Sequence, residues 1–347
     1  MRLTVFLIAI TSLFSTPTSH KIALKAIAFA SPERSIPFTG FFRIKKQSAQ
    51  FLKDLGAISI DEERFGFSGI FLSSSSVKKN SGKVFGKWRE ILKDPKNTKL
   101  LELFEANLAS SSLPGLFSFP RDVHFLNETK NKTVILFVDY TLPLSMQIRE
   151  ILNFALRGYT ILAVDFYPYS EGKNPISWDE CKKIAHRAYS YCSGNILLYG
   201  KSFGSAPASY LAKKHPSCPL ILDRPFTSMN EVVNSIFLEG FIQSHYSYPT
   251  KKFIPSLQRD PLVIASTHNT PFKDHAERLL QLYITSQKNQ DPDRIKSKCF
   301  ISTQGGHYSS LMNKGVSSWF SYEQAQRKLN NYLLSLDNDS SFKASNF

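Results

Sequence analysis

The chain has 347 residues, 42% apolar and 13% aromatic, enough to bury one large core and too apolar for an intrinsically disordered protein. A formal net charge of +15 suits partners of opposite sign, yet Lys45-Lys46, Lys78-Lys79 and Lys251-Lys252 lie far apart and no zinc-finger, basic-zipper or RNA-binding aromatic motif accompanies them, so nucleic acid is not expected. Cys181, Cys192, Cys218 and Cys299 form no CxxC pair and are too sparse for a disulfide scaffold, which leaves buried free thiols as the expectation.

The N-terminus differs from the rest. Arg2 precedes an apolar stretch over residues 3–14, the length of a signal-peptide core and short for a spanning helix. Small and polar residues follow at 15–19, and Ala28-Phe29-Ala30 offers an Ala-x-Ala cleavage site. Residues 1–30 therefore read as a signal peptide or membrane anchor, with a buried first helix as the alternative. The expected location is outside the cytoplasm: periplasmic, secreted or attached to a membrane through this segment.

Residues 31–127 hold a serine run at 73–76 and helix-like spacing at 88–92 and 100–108, and carry no repeat or chemical motif. They are expected to supply first strands and helical decoration. From residue 128 to about 340 the pattern becomes regular. Apolar runs at 133–138, 160–164, 195–199, 220–222, 262–266 and 299–302 read as buried strands. Between and after them, helical spacing appears at 148–156, 178–192, 203–214, 274–283 and 322–336, and Gly158 closes the first of these helices. Strand alternating with helix predicts an α/β fold with a doubly wound, mostly parallel sheet behind an N-terminal extension.

Gly200-x-Ser202-x-Gly204 lies between the run at 195–199 and the helix that follows it. A nucleophilic serine needs the apex of a strained strand-to-helix turn, and the flanking glycines let strand and helix pass closely. The amide of Phe203, at the positive end of that helix, suits a developing oxyanion. A serine hydroxyl also needs a base, and His307, in Gly305-Gly306-His307 after the last apolar run, is the best placed of eight histidines. No metal, nucleotide or flavin motif occurs, so neither a cofactor nor a metal site is expected.

Together with Gly158-Tyr159 before one strand, the Asp165 to Gly172 segment (DFYPYSEG) after it and Pro225-Phe226-Thr227-Ser228 after a later one, these features resemble the α/β-hydrolase superfamily. The nearest likeness is to its small serine hydrolases, the esterase and peptidase-like relatives of prolyl oligopeptidases, over residues 132–336. The resemblance implies the α/β-hydrolase fold, a triad in the order Ser, acid, His, and cleavage of an ester, thioester or amide through an acyl-enzyme on a small-molecule or lipid-like substrate. An acyltransferase using the same intermediate, or a non-catalytic binding protein on this fold, is the alternative.

Two positions depart from the family. Where relatives carry His-Gly, this chain reads Val138-Asp139-Tyr140, which leaves the Tyr140 amide as the second oxyanion donor. At the acid position stands Asn269, which holds an imidazole tautomer without stabilising its charge. Asp223, at the end of the 220–222 run, is the favoured acid, with Asn269 the alternative orienter and Asp274 a third choice that also suits a helix cap. Phe237, Phe241, Tyr246 and Tyr248 line an acyl pocket or pack as core and lid.

Overall fold

The computed structural model of the chain describes residues 38–92, 132–138, 144–166, 176–236, 248–266, 274–288, 290–303 and 319–337. The N-terminal segment 1–30 and the helix-like stretch 100–108 lie outside the described residues. Among the described residues no helix is long and apolar enough to cross a membrane.

Eight strands form one sheet: β1 (Ile58–Ile60), β2 (Gly69–Leu72), β3 (Lys132–Phe137), β4 (Thr160–Val164), β5 (Asn195–Lys201), β6 (Leu220–Asp223), β7 (Leu262–Ser266) and β8 (Phe300–Thr303). Their order is β1-β2-β4-β3-β5-β6-β7-β8. β1 and β2 pair antiparallel, as do β2 and β4, with Gly69 opposite Val164. Every pair from β4 to β8 is parallel. The sheet therefore starts within the segment that precedes the regular pattern, and strands β3 to β8 continue it with the parallel crossovers expected from the sequence. This order, with its single antiparallel strand β2 between β1 and β4, is the α/β-hydrolase fold.

Period-two alternation splits the core across the two faces of the sheet. Ile135, Phe137, Leu162, Val164, Leu198 and Leu222 face one layer of helices: α5 (Trp178–Tyr191), α6 (Ser205–Lys214), α7 (Met229–Ile236), α8 (His275–Ser286) and α9 (Pro292–Cys299). Val134, Leu136, Ile161, Leu197, Tyr199, Ile221 and Ile264 face the other: α1 (Phe38–Asp54), α3 (Ser74–Leu92), α4 (Ile148–Ala155) and α10 (Trp319–Asp337). A short helix, α2 (Glu62–Phe65), joins β1 to β2. Strand β3 is buried along its whole length, in keeping with the continuous apolar run Val134-Ile135-Leu136-Phe137 that follows Lys132 and Thr133 in it.

The N-terminal helices are tied to this second layer. Phe51 packs edge-on against Phe85 and Trp88, with centroids 5.4 and 5.3 Å away. Asp54 accepts bonds from Lys87 Nζ at 2.8 Å and Trp88 Nε1 at 3.0 Å. The serine run turns out to be a helix start, since the Ser73 hydroxyl accepts the Ser76 amide at 3.1 Å in the manner of an N-cap. Gly158 takes φ +86 as it ends the α4 turn, the left-handed conformation that glycine allows.

Candidate active site

The chain runs from β3 through α4 to β4 on one side and from β5 through α6 to β6 on the other, so the direction of winding reverses between the adjacent strands β3 and β5. In open parallel sheets the carboxyl ends at such a reversal form the binding crevice. Ser202 is the first residue beyond β5 and sits at that point.

Its backbone is strained in the way a nucleophile elbow requires: φ is +51 at a non-glycine residue. A single 3₁₀ turn (Ser202–Gly204) follows, and α6 begins at Ser205, two residues later than the apolar spacing indicates. The reason is steric. A Cβ on Gly204 would lie 1.8 Å from the Phe137 carbonyl oxygen, and one on Gly200 would lie 2.5 Å from the Gly204 oxygen and 2.8 Å from Ala208 Cβ. Both glycines are thus spaces into which neighbouring backbone fits, and the turn is wound tightly against the end of β3. The Ser205 hydroxyl donates to the Ser202 carbonyl and secures the turn. Gly204→Ala is expected to abolish cooperative thermal unfolding at the wild-type temperature, because the obstructing atoms are backbone and cannot swing aside. A melting curve superimposable on wild type contradicts this packing.

Ser202 is 7% exposed, and Phe203 beside it is buried against Phe166 (5.2 Å) and Tyr248 (4.6 Å). Tyr248, one of the four aromatic residues weighed as acyl pocket or packing, is fully buried, donates its hydroxyl to the Ile176 carbonyl and meets Trp178 edge-on at 6.1 Å. It packs under the elbow. Phe237, Phe241 and Tyr246 lie outside the described residues.

Asp223 ends β6 directly opposite Lys201 in the parallel ladder, one position before Ser202. It is completely buried. Its Oδ2 accepts the Tyr199 hydroxyl at 2.6 Å and its Oδ1 accepts Arg224 Nη1 at 2.7 Å. Two of the carboxylate's roughly four acceptor sites are thereby filled. Burial, then the negative charge of Asp223, pushes the Tyr199 hydroxyl well above the usual tyrosine range, so it remains a donor. Beside this trio Lys201 Nζ bonds Glu150 Oε1 of α4, with both side chains buried. Two ion pairs therefore lie buried where β5 and β6 end, a cluster the sequence pattern did not disclose. Lys201 and Asp223 each follow apolar positions on short strands, and nothing local marks them as paired.

Tyr140, Asn269 and His307 lie outside the described residues. Asp274 is exposed at the N-cap position of α8, with its backbone oxygen accepting the Arg278 amide and no cap bond from its side chain.

A further polar chain links the segment after β6 to α8. Thr227 donates its amide to His275 Nδ1 at 3.2 Å, and its hydroxyl lies 2.7 Å from the same nitrogen and 2.6 Å from Glu231 Oε2. Glu231 also pairs with Lys251 and Arg278. An Nδ1 that accepts an amide proton is unprotonated, which fits a His275 pKa pushed down to about 4 by burial and then by Arg278. Since the folded value lies below the ordinary 6.5, the unfolded chain binds the extra proton first as pH falls. Stability from His275 is complete above about pH 6.5 and is lost down to pH 4, by up to about 3 kcal/mol. The lowered carboxyls of Asp54, Asp260 and Glu231 lose their share at more acid pH, below their ordinary carboxylate values. Equilibrium unfolding at pH 7 and pH 5 is expected to show a smaller pH effect in His275→Gln than in wild type; equal effects refute the assignment.

The four cysteines carry free thiols, Cys181, Cys218 and Cys299 buried and Cys192 half-buried. Burial raises all four thiol pKa values, Cys192 and Cys299 to about 12, which disfavours thiolate chemistry.

No family model matches the chain. An uncharacterized protein of Acanthamoeba polyphaga mimivirus is 30% identical over 150 residues, 38% of this chain and 47% of that protein, so the match spans about half the relative's length. Among solved structures, similarity extends to an alpha/beta hydrolase enzyme from the sediment metagenome of the Mar Chica lagoon (15% identity, 60% of this chain and 93% of that one, TM-score 0.41). It extends also to the monoacylglycerol lipase of Paleococcus ferrophilus (14%, 57% and 94%, 0.39) and to Est1E of Butyrivibrio proteoclasticus with ferulic acid bound (14%, 61% and 92%, 0.44). The activities of those proteins are their own. What this chain itself presents is the α/β-hydrolase strand order, with a strained serine at the reversal of its sheet.

Proposed function

We propose that this chain is a serine hydrolase that cleaves an ester, thioester or related acyl bond through an acyl-enzyme on Ser202. The observation that carries the reading is the positive φ of Ser202 at the carboxyl end of β5, between two glycines whose Cβ positions are filled by backbone. A polypeptide holds a non-glycine residue in that conformation at a cost, and surfaces that merely turn have cheaper options. In this reading His307 takes the hydroxyl proton and returns it to the leaving group. The amides of Phe203 and Tyr140 face the tetrahedral oxygen. Asp223 orients the imidazole, with Asn269 as the alternative. The substrate is a small-molecule or lipid-like acyl compound, and residues 1–30 direct the chain out of the cytoplasm or anchor it to a membrane. The test is covalent labelling of Ser202 by a neutral fluorophosphonate.

The second reading is an α/β-hydrolase-fold protein that binds without catalysis, or an acyltransferase. It is favoured by Asp139, whose carboxylate stands where relatives open the oxyanion loop with glycine, and by Asn269 at the acid position. An unlabelled but folded wild type selects the binding protein. Labelling with acyl transfer to an added alcohol that outpaces hydrolysis selects the transferase.

A further inference from the structure

The residue after Asp223 is as unusual as the serine. Arg224 follows β6 as Ser202 follows β5, the preceding residues of the two strands being ladder partners. Both leave the sheet with positive φ, +47 at Arg224 and +51 at Ser202. The Arg224 side chain is wholly buried. Its amide is held by the Ile264 carbonyl of β7, and its Nη1 is held by Asp223, itself fixed by the Tyr199 hydroxyl. Its Nε and Nη2 have no hydrogen-bond partner among the described residues.

These two atoms are not an arbitrary pair. In a planar guanidinium Nε–H and Nη2–H point the same way and form one complete edge, spaced to meet both oxygens of a carboxylate. The structure thus leaves one entire bidentate edge of Arg224 unmatched in a buried place, where unmatched donors are costly. The other side of the fork is already locked to Asp223, so little ordering remains to be done on binding. Nearby charges cancel in pairs, Lys201 with Glu150 and Arg224 with Asp223, so the selecting feature is the shape of the fork rather than an excess of positive charge.

We propose that Arg224 receives a carboxylate carried on the acyl part of the substrate, making the chain selective for monoesters or monothioesters of dicarboxylic acids. This rests on the serine-hydrolase reading for its chemistry and on Arg224 alone for its selectivity. The reaction is ordinary hydrolysis: a C–O bond forms from Ser202 to the acyl carbon as the ester C–O or thioester C–S bond breaks and the leaving group takes the proton from the base. Water then forms a C–O bond to the acyl carbon, giving its proton to the base, and the bond to Ser202 breaks as the serine oxygen takes that proton back.

The experiment compares monoaryl esters of glutaric and adipic acid with the neutral aryl valerate and hexanoate. The kcat/KM ratio of acidic to neutral ester is expected to be about a hundred in wild type. It should fall at least tenfold in Arg224→Lys, which keeps the charge without the fork, and toward one in Arg224→Gln. Glutarate should slow fluorophosphonate labelling of wild type, and glutaramide should not. A wild-type ratio near one, or a ratio unchanged in a folded variant, overturns the proposal. If neither variant folds, the glutarate and glutaramide comparison on wild type decides it. Thermal melting separates the two readings: should wild type resist labelling, the hydrolase reading fails. A melting temperature raised by glutarate and not by glutaramide then still supports the carboxylate site, and the absence of that shift removes it.

Discussion

Ser202→Ala is expected to eliminate both fluorophosphonate labelling and ester hydrolysis, and His307→Ala to reduce labelling by about 10³-fold or more. The two losses should not add in the double variant, because a hydroxyl without its base and a base without its hydroxyl fail at the same proton transfer. Alanine at 202 also bears on stability. A residue held at φ +51 contributes strain of roughly 1–3 kcal/mol, and replacing serine by alanine relieves none of it because both carry a Cβ. Ser202→Gly, which takes positive φ freely, should melt higher than Ser202→Ala while being equally inactive. A Ser202→Ala protein that still labels at one serine places the nucleophile elsewhere and ends the elbow reading. Mass spectrometry of the labelled peptide identifies which serine reacted.

The parts of this fold that were legible in the sequence are those fixed by local sterics or by continuous burial. Strand β7 runs over Leu262–Ser266, as its apolar run predicts, because the parallel sheet buries both of its faces. The elbow was legible for a similar reason: only glycine fits where the Phe137 and Gly204 carbonyl oxygens approach so closely. Strands β1 and β2 were not, being three and four residues long, β2 set by antiparallel pairing to the distant β4 and β1 by pairing to β2 in turn. Ile58 is even 63% exposed, so alternation there says little about which side is core. Helix α9 shows the same limit, burying Ile295 and Cys299 alone in an otherwise polar segment. The buried charges were the least legible. Glu150 and Lys201 stand fifty-one positions apart, and only the packing of α4 on the end of β5 makes them a pair. A lysine before the serine reads as a solvated strand end until that helix is in place.

That cluster changes what is expected of Asp223 as the third member of the proposed triad. Asp223→Asn is isosteric, and its amide oxygen still accepts Arg224 Nη1, but the exchange leaves the buried guanidinium without its counter-charge. A stability loss of about 3–5 kcal/mol follows from uncoupling a buried pair of this kind, so melting must be measured beside activity. If Asp223 orients the imidazole, labelling per folded molecule should fall by roughly 10³ to 10⁴, since the tautomer is wrong and the imidazolium loses its partner. Tyr199→Phe removes one bond to Asp223 and no charge; it should lower stability by about 1 kcal/mol and change labelling far less. Asn269→Ala should then matter little, and Asn269→Asp should raise the rate by supplying a second carboxylate at the family's position. The opposite pattern is equally clear. Were Asp223 only the partner of Tyr199 and Arg224, Asp223→Asn would label within about tenfold of wild type once corrected for the folded fraction, while Asn269→Ala would abolish labelling. Ser202 and His307 would then work as an asparagine-oriented pair, with the buried carboxylate serving to aim Arg224 alone.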